Sequence, residues 1–141
     1  MDRFDELLLQ VIDKTVRYSF GEINAEIIYD YLAKRGVPKH AIPRKLEVFS
    51  MELRYMLGSD SDQILGVAPV LEETILEAFC IQLKIELSAA SSAPFANRVR
   101  MIKEVYNDQD KMSAQIANET GSLKHNVPPE ELSVQKNGGE N

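Results

Sequence analysis

Apolar positions recur at helical spacing from the start of the chain. Phe4, Leu7, Leu8, Val11, Ile12 and Val16 follow the i, i+3, i+4, i+7 rule, with Asp5, Asp13, Lys14 and Arg17 largely off that stripe. Ile23, Ile27, Ile28, Tyr31 and Leu32 predict a second helix, which Gly36 closes as a left-handed cap. Pro38 and Pro43 bracket Lys39-His40-Ala41-Ile42, long enough for one helical turn only. Leu46, Phe49, Leu53, Met56 and Leu57 form a third stripe that stops at Gly58. A loop over Ser59 to Ala68 then leads to Pro69, placed as a first-turn residue of a fourth helix running to Leu87.

The fourth helix is apolar on more than one side. Leu76, Phe79, Cys80, Leu83 and Leu87 lie on one face, and Val70, Ile81 and Ile85 on another. Such a helix is either central or at a subunit interface, and the second set therefore marks a candidate self-association surface in a homodimer. No segment alternates in the way strands do. The predicted fold is all-α, a bundle of about four helices with a flexible C-terminal extension.

Composition divides the chain. Phe, Ile, Leu, Met and Val supply 34 of residues 1–87 but only 6 of the 35 residues 107–141. The second level is too low to offset the entropy of ordering a packed segment. We therefore expect a helical domain over 1–87, a hinge over 88–94 with the sequence Ser-Ala-Ala-Ser-Ser-Ala-Pro, a short helix over 95–106, and a disordered tail over 107–141. In the short helix, Phe95, Val99, Ile102 and Tyr106 make a narrow stripe beside Arg98, Arg100 and Lys103. That stripe either docks in a partner's groove, meets an anionic surface or folds back on its own acidic domain. The net charge of −6 divides into −5 for residues 1–87 and −1 for the rest, which disfavours nucleic acid.

Little in the chain points to catalysis. Cys80 is the single cysteine and its neighbours Phe79 and Ile81 read as packing; His40 and His125 are the two histidines. Asp60-Ser-Asp62 offers two oxygen ligands but lacks the glycine and bidentate Glu of a calcium loop, so a solvated, capping loop is the simpler reading. Glu72, Glu73 and Glu77, in the early turns of the fourth helix, are explained by the positive helix terminus. There is no phosphate-cradling glycine run. Asn118-Glu-Thr120 fits a glycosylation triplet without a secretory signal beside it. We expect no catalytic residue, metal or cofactor.

The stretch Phe20-Gly-Glu-Ile-Asn-Ala-Glu-Ile-Ile-Tyr-Asp-Tyr-Leu32, followed by Gly36-Val-Pro38, Ile42-Pro43, Phe49 and Met56-Leu-Gly58, resembles the archaeal Nitrosopumilus output domain family. The resemblance covers about residues 10–87. It implies a small helical signalling-output or interaction module and supplies no catalytic residue. The family's Gly-x-Gly-Ala-x-x-Ile-Glu junction is split here between Gly58-Ser-Asp-Ser and Leu65-Gly66-Val-Ala-Pro-Val-Leu71-Glu72, about eight residues apart.

The expected function is non-enzymatic contact with a protein partner, with Phe95, Val99, Ile102, Tyr106, Val70, Ile81 and Ile85 as candidate partner-binding residues. The alternative is a DNA-binding regulator that reads through the helix over 44–57 with Arg44, Lys45 and Arg54. Against it, Glu47 and Glu52 share that helix and the turn before it is long. No apolar run is long enough to span a bilayer, and the acidic start with Asp2, Asp5 and Glu6 is unlike a cationic signal peptide, so a cytoplasmic protein without a membrane partner is expected.

Overall fold

A computed structural model describes residues 1–58, 66–86 and 92–126, with the side chains of its last helix described as far as Met112. It contains α1 (Arg3–Phe20), α2 (Glu22–Lys34), a 3-10 helix (Lys39–Arg44), α3 (Leu46–Leu57), α4 (Val67–Leu83) and α5 (Phe95–Asn126). The described residues contain no strand, so the fold is all-α. None of these helices is long and apolar enough to cross a membrane. Asp60 to Asp62, Leu87, residues 88–91 of the hinge, residues 127–141 and the side chains of Asn118 to Thr120 lie outside what is described.

Each helix end has a chemical cause. The Asp2 carboxylate accepts the Asp5 backbone N–H at 2.8 Å at the start of α1, and that bond holds its carboxyl below the ordinary value. Gly21, at φ +85°, is the single residue between α1 and α2. After α2, the Val37 N–H donates to the Leu32 carbonyl at 2.9 Å and the Gly36 N–H to Ala33 at 3.1 Å. This is the paired closure that a left-handed residue makes possible, and Gly36 supplies it at φ +86°. The chain then turns through the 3-10 helix, burying Val37, Ala41, Ile42 and Pro43 under α1 and α2.

α1 lies at the centre of the packing. Its buried face, Phe4, Leu7, Leu8, Val11, Ile12, Thr15 and Val16, is the predicted stripe with Thr15 added. The most extensive contacts are α1 to α4, α3 to α4, and α1 to α2 and to the 3-10 helix. Phe4 meets Phe79 of α4 edge-on with ring centroids 5.1 Å apart. Phe49, Leu53, Ile75 and Leu76 close the core between α3 and α4.

Three expectations need correction. In α2 the buried residues are Ala25, Ile28, Tyr29 and Leu32, whereas Ile23 is 79% and Ile27 58% exposed. The helix is rotated because Ala25 has no bulk to hold it off α1, and because Glu22 and Glu26 reach Arg17 along the rim. α4 stops at Leu83 rather than Leu87. There Lys84 takes the left-handed conformation at φ 58°, and the Ile85 N–H donates back to the Cys80 carbonyl at 3.0 Å. Ile85 therefore folds under the helix end and is buried, instead of extending an outer face.

The third correction is the domain limit. Met1–Tyr106 forms one compact unit, because Phe95, Ala96, Val99 and Ile102 belong to the same core as α1 to α4. The backbone of α5 runs on to Asn126.

Two stability tests follow from this packing. Truncation of Phe49 to alanine is expected to cost about 3–5 kcal/mol in urea unfolding, since the ring is completely buried. Lys84→Gly is expected to raise the urea midpoint, stabilising the protein by roughly 0.5–1 kcal/mol, because glycine meets the left-handed conformation without a Cβ. A lowered midpoint would show that the lysine side chain contributes something beyond its backbone shape.

Candidate functional site

A polar cleft lies where α3, α4 and the start of α5 meet. It is a cleft of about 510 Å³ whose walls include Ser50, Arg54, Glu72, Glu73 and Arg98, with Pro69, Leu76 and Phe95 as apolar lining. The helical period places its groups. Ser50 and Arg54 are one turn apart on α3, and Glu72 lies opposite them on α4.

Glu72 is the chemical centre. It is 4% exposed, accepts a hydrogen bond from the Ser50 hydroxyl, and accepts another from Arg54 at 2.8 Å. Burial pushes its carboxyl above the ordinary value of 4.5, while the Ser50 and Arg54 bonds work in the opposite direction. Beside it, Glu73 is paired with Arg98 of α5, whose Nε is buried without a hydrogen-bond partner. Burial likewise raises the Cys80 thiol, and nearby Arg98 opposes that shift. The cleft thus holds two carboxylates neutralised by two guanidinium groups. No histidine or cysteine lines it, and no cluster of three metal-ligating side chains occurs among the described residues. The arrangement ties α3 and α5 to α4 by charge.

A second network clamps α1 to α2 and to the 3-10 helix. Arg17 donates to Asp13 at 2.9 Å, to Glu22 at 2.5 Å and to Glu26 at 2.6 Å, and Lys39 reaches Asp13 at 2.9 Å. Burial opposes ionisation of Asp13, yet hydrogen bonds from Lys39 and Arg17 hold its carboxyl below the ordinary value. Lys39 also stands 4.8 Å above the centre of the Tyr29 ring. Burial, followed by the neighbouring Asp13 charge, pushes the Tyr29 phenol up, and its hydroxyl completes no hydrogen bond of normal geometry.

The residues singled out in the sequence divide into two groups. Phe95, Val99 and Ile102 are buried, Phe95 lying 6.2 Å from Phe49 between ring centres, and half-buried Tyr106 lies 5.4 Å from Phe4. With Ile85 they are committed to this protein's own core. Val70 and Ile81 remain outside, at 47% and 77% exposure, and their separation of three helical turns puts them on one line of α4. The acidic residues of α4 also differ from expectation. None stands in its first turn, and Glu72 and Glu73 face arginines rather than the helix terminus.

Of the basic groups suggested for DNA contact, Arg54 and Lys45 have partners within the chain. Arg54 is paired with Glu72, and the Lys45 ammonium donates to the Gly36 carbonyl at 2.9 Å. Sequence reasoning missed the Ser50, Arg54 and Glu72 set. Its spacing is visible on α3 alone, but nothing in the sequence aligns α4 against it. No family model, curated protein or solved structure matches the chain.

The buried carboxylate gives a signed prediction. Arg54→Ala should cost about 1–3 kcal/mol at neutral pH, because it leaves Glu72 charged with only Ser50 to satisfy it. Most of that loss should vanish in a Glu72→Gln background, as measured by a double-mutant cycle. Folded Glu72 holds its proton more tightly than an unfolded glutamate. Its contribution is therefore most favourable below pH 4.5 and declines as pH rises through the folded value. The stability of Glu72→Gln relative to the natural chain should accordingly improve with pH over that window; a flat difference would show that Arg54 and Ser50 fully offset burial.

Proposed function

We propose that this chain is a helical interaction module, of the archaeal output-domain kind that its motifs resemble, which acts in signalling or regulation by contacting a protein partner. The observation that carries this reading is the set of branched aliphatic side chains held outside the core: Ile23 and Ile27 one turn apart on α2, and Val70 and Ile81 in line on α4. Each lies on a helix whose opposite face is fully packed, so none can turn inward without dismantling that packing. Contiguous exposed apolar patches on a folded protein mark interaction sites.

The residues behind the resemblance fit the same reading. Gly21, Gly36, Ile42, Pro43, Phe49 and Gly58 form caps, a turn and core, which sets a scaffold rather than a reactive centre. A cytoplasmic setting accompanies this proposal. Nucleic-acid binding by α3 draws less support, since Arg54 and Lys45 are engaged within the chain.

The test uses charge on the outward face. Ile23→Glu combined with Ile27→Glu should change stability by no more than about 0.5 kcal/mol, because both side chains are solvated. The same variant should lose proteins that the natural chain retains in affinity capture from native lysate. An unchanged set of captured proteins, together with a duplex-DNA affinity that falls steeply with salt, would overturn the proposal in favour of nucleic acid.

A further inference from the structure

We propose that the first three turns of α5 act as a tethered ligand of an acid-rimmed groove on the other helices, and that the same segment of a second copy can take its place by exchange. The groove therefore recognises a basic amphipathic helix. This inference stands apart from the outward-facing surface of α2 and α4.

Charge across the contact is segregated. Arg98 pairs with Glu73, Arg100 with Glu47, and Lys103 with Asp2 at 3.4 Å and Asp5 at 3.9 Å. In each of these ion pairs the cation belongs to α5 and the anion to α1, its N-cap, α3 or α4. By contrast, the Arg17 and Lys39 clamp and the Arg54 to Glu72 pair join the other helices to one another without α5.

The apolar part of the contact is one face of α5, made by Phe95, Ala96, Val99 and Ile102. Phe95, Val99 and Ile102 point inward at i, i+4 and i+7, while Met101 and Val105 on the opposite face remain exposed. A cleft of about 410 Å³ runs beside this face, lined on the core side by Phe4, Leu8, Pro43 and Leu46. Long cationic side chains extend the contact beyond this apolar face. Lys103, for example, lies 5.5 Å above the centre of the Phe4 ring while reaching Asp2 and Asp5. These features match helix-in-groove recognition, in which one apolar line sets affinity and rim charges set the choice of partner. They also define the occupant, because any second copy carries the same face with the same three cations.

The experiment supplies the segment in trans. A fluorescein-labelled peptide of residues 92–106 is titrated into the full chain and into the full-length variant R100E/K103E, whose own α5 meets like charges at Glu47, Asp2 and Asp5. The natural chain should bind the peptide weakly and saturably. The variant should bind it at least ten-fold tighter, and 0.5 M salt should weaken that binding at least ten-fold. A variant that keeps its helical circular dichroism yet does not take up the peptide overturns the proposal. Should the variant fail to fold, hydrogen exchange on the natural chain decides. Amides of residues 95–106 exchanging ahead of α1 and α4, and faster still in salt, support a tethered ligand; protection equal to that of α1 and α4 at both salt levels overturns it.

Discussion

The contact between α1 and α4 is the constraint on which the remaining structure depends. Phe4 and Phe79 cross edge to face at 5.1 Å, and beside them Leu8, Ile12, Ile75 and Leu76 are fully buried. α2 and the 3-10 helix then pack on α1, and α3 packs on α4. α5 completes the unit by setting Tyr106 against Phe4 and Phe95 against Phe49. Loss of the α1 to α4 contact would expose the facing apolar sides of both helices, on which the other elements are assembled.

Electrostatics add direction to this packing. Surface ion pairs are individually weak, but the two networks here join particular helices, and each includes a partly or fully buried carboxylate. Asp13 is held ionised by Lys39 and Arg17, whereas Glu72 is held closer to its protonated form because burial outweighs Ser50 and Arg54. The same internal pairing occupies many of the cations of this acidic chain. Arg17, Lys39, Lys45, Arg54, Arg98, Arg100 and Lys103 all meet acceptors within it. Outside these pairs, the aliphatic side chains of Ile23, Ile27, Val70 and Ile81 are exposed.

Much of the fold was legible in the sequence, because local chemistry specified it. The α1 stripe, the left-handed glycine at Gly36, a short helical piece after Pro38, the α3 core of Leu46, Phe49 and Leu53 and the stop at Gly58 each follow from residues within a few positions of one another, although the 3-10 helix runs through Pro43 to Arg44 instead of stopping before it. In the same way, the class of fold was settled by a 3.6-residue apolar period with no competing alternation.

Tertiary structure alone decided the choices for which local chemistry offers two answers. α2 carries apolar residues on two arcs, and contact with α1 selected the arc containing Ala25 and Ile28 over the one containing Ile23 and Ile27. The end of α4 has no glycine to announce it; burial of Ile85 forces Lys84 into the left-handed turn. The stripe from Phe95 to Tyr106 could serve a partner or its own chain equally well, and an apolar groove with acidic rims determined that it is buried here. Sequence by itself determined which residues seek burial and which turns the backbone can make. Which apolar surfaces find each other, and which stay outside, depends on distances between helices that no local pattern encodes.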